Sequence, residues 1–242
     1  MGKKTVVFGS FVVDLMGRTP HLPAAGETVK GTVFKMGPGG KGFNQGVAAH
    51  KAGADVTMVT KLGRDSFADI ALNTMKELGM KQDRILYSDD TETGCALIMV
   101  DENTSQNEIV VILGSCNTIS DAEVDSLEDL LDGCEYMLTQ LETNVSSVER
   151  IVDIACNKGV KVILNTAPVQ PISDELLSKV DLITPNEVEA EILTGVKVDS
   201  EEAADKAAEW FFSKGVKRVL ITLGGRGVYI NTGDKKGIIP AY

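Results

Sequence analysis

The chain has 242 residues, 43% of them hydrophobic and only 5% aromatic, with a formal net charge of -11. That is enough apolar material for one sizeable core in a single α/β domain, and the charge balance provides no basic stripe to neutralise a phosphodiester backbone, which excludes a nucleic-acid partner. Cys95, Cys116, Cys134 and Cys156 stand far apart, without a C-x-x-C pair and with only His21 and His50 as histidines, a pattern of free thiols in a reducing cytosol rather than a disulfide or zinc framework.

In chain order, residues 5–9 (TVVFG) read as a buried strand that stops at glycine. Residues 11–15 and 28–36 read as two more strands, because Pro20, Pro23 and Gly26 forbid a helix between them. A glycine-rich stretch follows, then a helix over 43–52, a strand over 55–60 and a helix over 66–78 that ends at Gly79. A second β excursion, 95–100 and 108–113, interrupts the alternation. From residue 121 the pattern is steady: helix 121–131, strand 136–140, helix 146–157, strands 160–165 and 182–184, helices near 187–193 and 201–213, and strand 218–223. Strands alternating with helices of this length predict right-handed crossovers and a parallel sheet covered on both faces, with the two β excursions forming a separate flap. No stretch reaches the ~18 apolar residues of a membrane helix, so a cytoplasmic protein is expected.

The stretch GPGGKGFNQG, residues 37–46, raises the question of its ligand. Gly37, Gly39 and Gly42 fit G-x-G-x-x-G, but that fingerprint belongs to the first strand-to-helix turn and needs an acidic residue closing the next strand, where this chain has Thr60 and Lys61. A P-loop fails because Gly42 stands where Ser or Thr should hold magnesium. The glycines let backbone N–H groups approach a ligand at a helix N-terminus, Lys41 adds a point charge, and Asn44 can both donate and accept, which suits a polyol. A flexible loop with a solvated lysine is the plainer alternative.

The stretch GPGGKGFNQGVAAHKAGADVTMVTKLGRDSFADIAL resembles the N-terminal signature of the ribokinase family of carbohydrate kinases, within the larger phosphofructokinase B-type group. QLE at 140–142, LITPNEVEAEILTG at 182–195 and VLITLGGRGVY at 219–229 match in the same order, so the resemblance covers the chain. It implies a ribokinase-like three-layer sandwich with a mostly parallel sheet and a small β lid at about 11–36 and 95–113. It further implies ATP-dependent transfer of the γ-phosphoryl group to a primary hydroxyl of a small sugar, ribose first, with a fructose or adenosine-type acceptor as alternatives. By the resemblance Asp14, Gly39, Gly40, Lys41, Asn44 and Glu142 bind the sugar; Asn186, Thr222, Gly224, Gly225 and Gly227 bind the nucleotide; Glu189 tends hydrated Mg²⁺. Potassium dependence and a homodimer through the lid are implied as well.

Each position also has a plainer reading. Asp14 is a strand-end carboxylate, Glu142 a helix-flanking acid, and the 224–227 glycines a hairpin turn. Thr184, Pro185 and Glu187 make a capping box with no need of a ligand, one that leaves Asn186 and Glu189 unexplained. Family members carry Asn two residues before the position of Asp14; here it is Val12, which cannot bond a hydroxyl, so the choice of sugar is open. The family's Gly-Ala-Gly-Asp motif, source of the catalytic base, is absent. We therefore expect a C-terminally truncated sequence, nearly inactive and exposing apolar surface, or a non-catalytic sugar- and nucleotide-binding module.

Overall fold

The computed structural model describes residues 2–241. Its first strand, β1 (Lys4–Phe8), is apolar from Val6 onward because both of its faces are covered. Val6 and Phe8 pack into one apolar cluster and Val7 into the other, as expected for a strand whose alternate side chains enter opposite layers.

The chain leaves β1 into β2 (Val12–Thr19) and returns through β3 (Val33–Gly39) to α1 (Lys41–Lys51), β4 (Asp55–Val59), the short β5 (Lys61–Leu62), α2 (Ser66–Glu77) and β6 (Leu86–Tyr87). The hairpin β7 (Thr93–Asp101) and β8 (Asn107–Gly114) follows. Then come α3 (Asp121–Asp125), β9 (Tyr136–Thr139), α4 (Val145–Asn157), β10 (Lys161–Leu164), α5 (Asp174–Ser178) and β11 (Leu182–Ile183). The last elements are α6 (Glu187–Thr194), α7 (Glu201–Ser213), β12 (Val219–Thr222), β13 (Val228–Asn231) and β14 (Lys236–Ile239).

The main sheet has the order β14-β13-β12-β11-β10-β9-β1-β4. It is parallel from β4 to β12 and antiparallel across the β12-β13 and β13-β14 pairings. Helices α1 and α2 pack with Val7, Val56 and Met58 on one face, and α4 to α7 pack with Val6, Val162 and Ile221 on the other. A second sheet, β3-β2-β7-β8, unites the two β excursions. Its strands carry exposed apolar side chains, Phe34 and Val110 among them.

Three differences from the expected elements have local causes. The strand expected over 28–36 is β3, shifted toward Gly39; Pro38 is tolerated there because β3 is an edge. The helix expected over 121–131 is α3 followed by a 3-10 turn at Glu128–Leu131; Ser126 Oγ donates to the Glu123 carbonyl at 2.7 Å, a side-chain bond that competes with the helical ladder. Helix α5, five residues long and capped by Ser173, is too short to show a period in the sequence. No helix among the described residues is long and apolar enough to cross a membrane.

Candidate active site

The glycine stretch read as a loop is divided between strand and helix: β3 runs through Gly39 and α1 starts at Lys41, two residues earlier than expected. Only Gly40 makes the bend, with φ at 93°. A Cβ at Gly40 would lie 2.9 Å from Phe11 Cα, and one at Gly42 2.5 Å from Ser10 N. These two glycines therefore let the first turn of α1 press against the chain leaving β1, a packing requirement the sequence did not reveal.

That contact brings the start of α1 onto Glu142, just beyond the C-terminal end of β9. Glu142 is 4% exposed. Its Oε2 accepts from Ser10 Oγ at 2.6 Å and from the Lys41 backbone N–H at 2.7 Å, and its Oε1 pairs with Lys41 Nζ at 2.9 Å. Ser10 Oγ in turn accepts from the Gly42 N–H at 3.3 Å. The positive end of α1 is thus occupied by a protein carboxylate, so it is not an empty phosphate cradle.

Asp14 projects from β2 toward the same charges. Burial pushes its carboxyl above the usual carboxylate range, Glu142 adds to that, and Lys41 opposes it. A Cβ on Gly39 would fall 2.6 Å from Asp14 Oδ2, so that glycine makes room for the carboxylate. Asp14, Gly39, Gly40, Lys41 and Glu142 therefore converge. Asn44 does not join the cluster's hydrogen bonds; its side chain is exposed on the first turn of α1. Ser10 escaped the sequence reading; its only signal was a hydroxyl directly after a buried strand that ends in glycine.

Along the same edge of the sheet, beyond β11 and β12, lies the second group. Asn186, not Thr184, is the N-cap of α6. Its Oδ1 accepts from the Glu189 N–H at 2.8 Å, while Glu189 Oε2 accepts from the Asn186 N–H at 3.0 Å. The two residues that capping was expected to leave over are themselves the capping box. Thr184 is held otherwise, its backbone N–H bonded to the Leu164 carbonyl and its hydroxyl 3.3 Å from Asn165 Nδ2. Buried Thr166 donates to Glu189 Oε2 at 3.0 Å, a partner the sequence reading missed.

Thr222 joins this group through a parallel bridge to Asn186. A cavity of about 490 Å³ opens there, lined by Asn186, Glu187, Val188, Thr222, Gly224 and Gly227. The 224–227 stretch is a hairpin turn between β12 and β13, as the plainer reading had it. Gly224 and Gly225 have open space where a Cβ would be, whereas Gly227, at φ 102°, is required by the chain after β14. Arg226 fixes the turn to α6 by donating to Glu187 and to the Val198 and Asp199 carbonyls.

Mixed-sheet architecture, helices on both faces, and polar groups gathered at the carboxyl ends of parallel strands define a ribokinase-like α/β fold. The pfkB family carbohydrate kinase profile matches residues 3–242, and the chain belongs to that family. It is 41% identical to a ribokinase of Haemophilus influenzae, over all of this chain and 79% of that protein. It is 35% identical to a deoxyribokinase of Salmonella typhimurium, over 98% of this chain and 77% of that protein. The solved structure of Arabidopsis thaliana ribokinase complexed with ribose and ATP superposes with a TM-score of 0.87 at 27% identity, covering 100% of this chain and 78% of that one.

Proposed function

We propose that the protein is an ATP-dependent kinase that transfers the γ-phosphoryl group to the primary hydroxyl of a small pentose of the ribose type. The observation that carries this reading is buried Glu142, which ties Ser10, Lys41 and the first turn of α1 together beside Asp14. The relatives support it: one is named ribokinase, one deoxyribokinase, and a structural neighbour holds ribose and ATP.

In this reading Asp14, an acceptor when ionised, takes hydrogen bonds from sugar hydroxyls, with Gly39, Gly40, Lys41 and Asn44 around it and Glu142 fixing Lys41. Thr222, Gly224, Gly225 and Gly227 take the nucleoside end of ATP, and Asn186 the phosphates. One strand, β10, separates β9 from β11 in the sheet. At ~5 Å per strand the carboxyl ends of β9 and β11, just beyond which stand Glu142 and Asn186, are roughly 10 Å apart, the scale of a polyphosphate chain. Catalysis of this kind is positioning and electrostatics, and closure of the β3-β2-β7-β8 sheet over the sugar would exclude water.

Magnesium fits Glu189 through water. Mg²⁺ binds through one or two carboxylates and keeps several waters, and both oxygens of Glu189 already accept hydrogen bonds from Asn186 or Thr166. When bound with ATP the ion neutralises phosphate charge. A potassium requirement, a cytoplasmic location and a homodimer belong to the same proposal; exposed Phe34, Val110 and Ile112 give a dimer an apolar surface to cover.

The 242 residues contain no Gly-Ala-Gly-Asp stretch. A chain limited to these residues is expected to bind both substrates and to turn over about 10²–10⁴-fold more slowly than one that carries such a positioned base. Calorimetry with pentoses, hexoses, nucleosides and Mg-ATP, alongside a coupled ADP-release assay, tests this. Pentose and Mg-ATP binding with slow turnover supports it. Binding without any turnover favours the non-catalytic module, and absence of sugar binding rejects the reading.

A further inference from the structure

The β3-β2-β7-β8 sheet stands on the core at two places. One is the crossing of Ser10 and Gly40, tied down by Glu142. The other is the foot of the β7-β8 hairpin, where Thr93 and Gly114 are cross-strand partners. There one core side chain reaches across: Asp65, the N-cap of α2. Its Oδ1 accepts from the Ala68 N–H at 2.9 Å and closes the helix end, while its Oδ2 accepts from the Thr93 N–H at 2.7 Å. Buried Thr93 answers with its hydroxyl, which accepts from the Gly63 N–H at 2.9 Å.

Capping needs one oxygen, so the second bond of Asp65, to a residue 28 positions away in another sheet, calls for its own explanation. A Cβ on Gly63 would lie 2.6 Å from Thr93 N and 2.7 Å from Asp65 Oδ2, so glycine there is what lets the two residues meet. Burial works against ionisation of Asp65, but the Thr93 and Ala68 N–H groups outweigh it and hold the carboxyl below the usual carboxylate range. The β8 leg of the hairpin is fixed separately, by Ser115, which donates its N–H to the Glu92 carbonyl and its hydroxyl to the Lys61 carbonyl, both at 2.8 Å. Asp65 is therefore the fastening of the β7 leg.

Strand β7 pairs with β2 along its length, and Asp14 is the partner of Ala96, three residues beyond Thr93. Resting on the pentose-kinase reading, we propose that Asp65 is a positioning residue for the sugar site: by holding the foot of β7 to α2 it sets the tilt of the sheet that brings Asp14 toward Lys41 and Glu142. Asp65 acts through β7 and not by contact with a ligand. Without its second bond the foot of β7 is free to shift, and the fraction of molecules with Asp14 in place falls. Apparent sugar affinity falls by the same fraction. The group around Asn186 and Thr222 lies beyond β11 and β12, on the far side of β10 from Glu142, and is untouched by that shift.

The test uses Asp65→Asn and Asp65→Ser, which keep a good N-cap on α2. The asparagine that caps turns its amide N–H groups toward the Thr93 N–H, and the serine has a single oxygen that cannot stand at both positions. Titration calorimetry with D-ribose, 2-deoxy-D-ribose and Mg-ATP is paired with amide hydrogen exchange over residues 93–114. Both variants are expected to bind pentose about tenfold more weakly and Mg-ATP within about twofold of wild type, with faster exchange at the foot of β7. Pentose affinity within about twofold of wild type, or an equal loss for pentose and Mg-ATP, overturns the proposal and leaves the pentose reading standing. If wild type binds neither pentose, the reading falls and the proposal with it. Should Asp65→Asn fail to fold, Asp65→Ser decides alone.

Discussion

The N-termini of α1 and α6 solve one electrostatic problem in two ways. Each presents unsatisfied backbone N–H groups and each finds a carboxylate. At α1 the carboxylate is Glu142, 101 residues away in sequence and nearly buried, with Ser10 and Lys41 sharing its oxygens. At α6 it is Glu189, a residue of the helix itself, paired with the exposed cap Asn186. A long-range buried carboxylate fixes parts of the chain relative to one another. A local, solvent-facing box can be exchanged for a ligand anion at small expense, so the α6 end suits a phosphate that comes and goes while the α1 end is preorganised.

The largest effect should come from Glu142→Ala, which leaves the Lys41 N–H and the buried Ser10 hydroxyl without their acceptor. We expect a loss of about 3 kcal/mol in urea unfolding, together with loss of sugar binding. A loss no greater than that of a helix cap would erase the distinction between the two ends. Asn186→Ala should lower stability by only about 1 kcal/mol, the ordinary worth of an N-cap, yet weaken Mg-ATP binding about tenfold in calorimetry. Unchanged nucleotide affinity would reduce the α6 box to a purely structural device.

The smallest effect, opposite in sign, is expected for Asp14→Asn. Burial raises the Asp14 pKa in the folded protein. Its contribution to stability is therefore fully present below the unfolded value, about 3.9, and is lost as pH rises through the raised folded value. At neutral pH the asparagine variant should be the more stable by under about 1 kcal/mol, since partial solvent screening limits the penalty, with the gap closing toward pH 4. Thermal melts between pH 4 and pH 8 measure it. Sugar binding by wild type should weaken on acidification through the same raised pKa.

Much of this was legible in the sequence, because burial on both faces forces continuous apolar runs such as TVVF and amphipathic helices such as 66–77. The convergence of Asp14, Lys41 and Glu142 was legible only through the family resemblance, since no periodicity joins residues 101 positions apart. The capping register of α6 was not legible: Thr184 with Glu187 and Asn186 with Glu189 fit the same pattern, and the choice depends on Thr184 being held to β10 and Asn165 across the sheet edge. The packing role of Gly40 and Gly42 was not legible for a similar reason. Their neighbours, Ser10 and Phe11, lie across a chain crossing that local sequence does not describe.

That crossing makes a saturation-mutagenesis profile deceptive. At Gly42 any added carbon meets Ser10 main chain at 2.5 Å, whereas Gly225 has open space around it. In a growth selection Gly42 would score as intolerant as any active-site residue, purely because two backbones share one ångström-scale gap. Gly225, beside the cavity at Asn186 and Thr222, would look dispensable in an assay of folding alone.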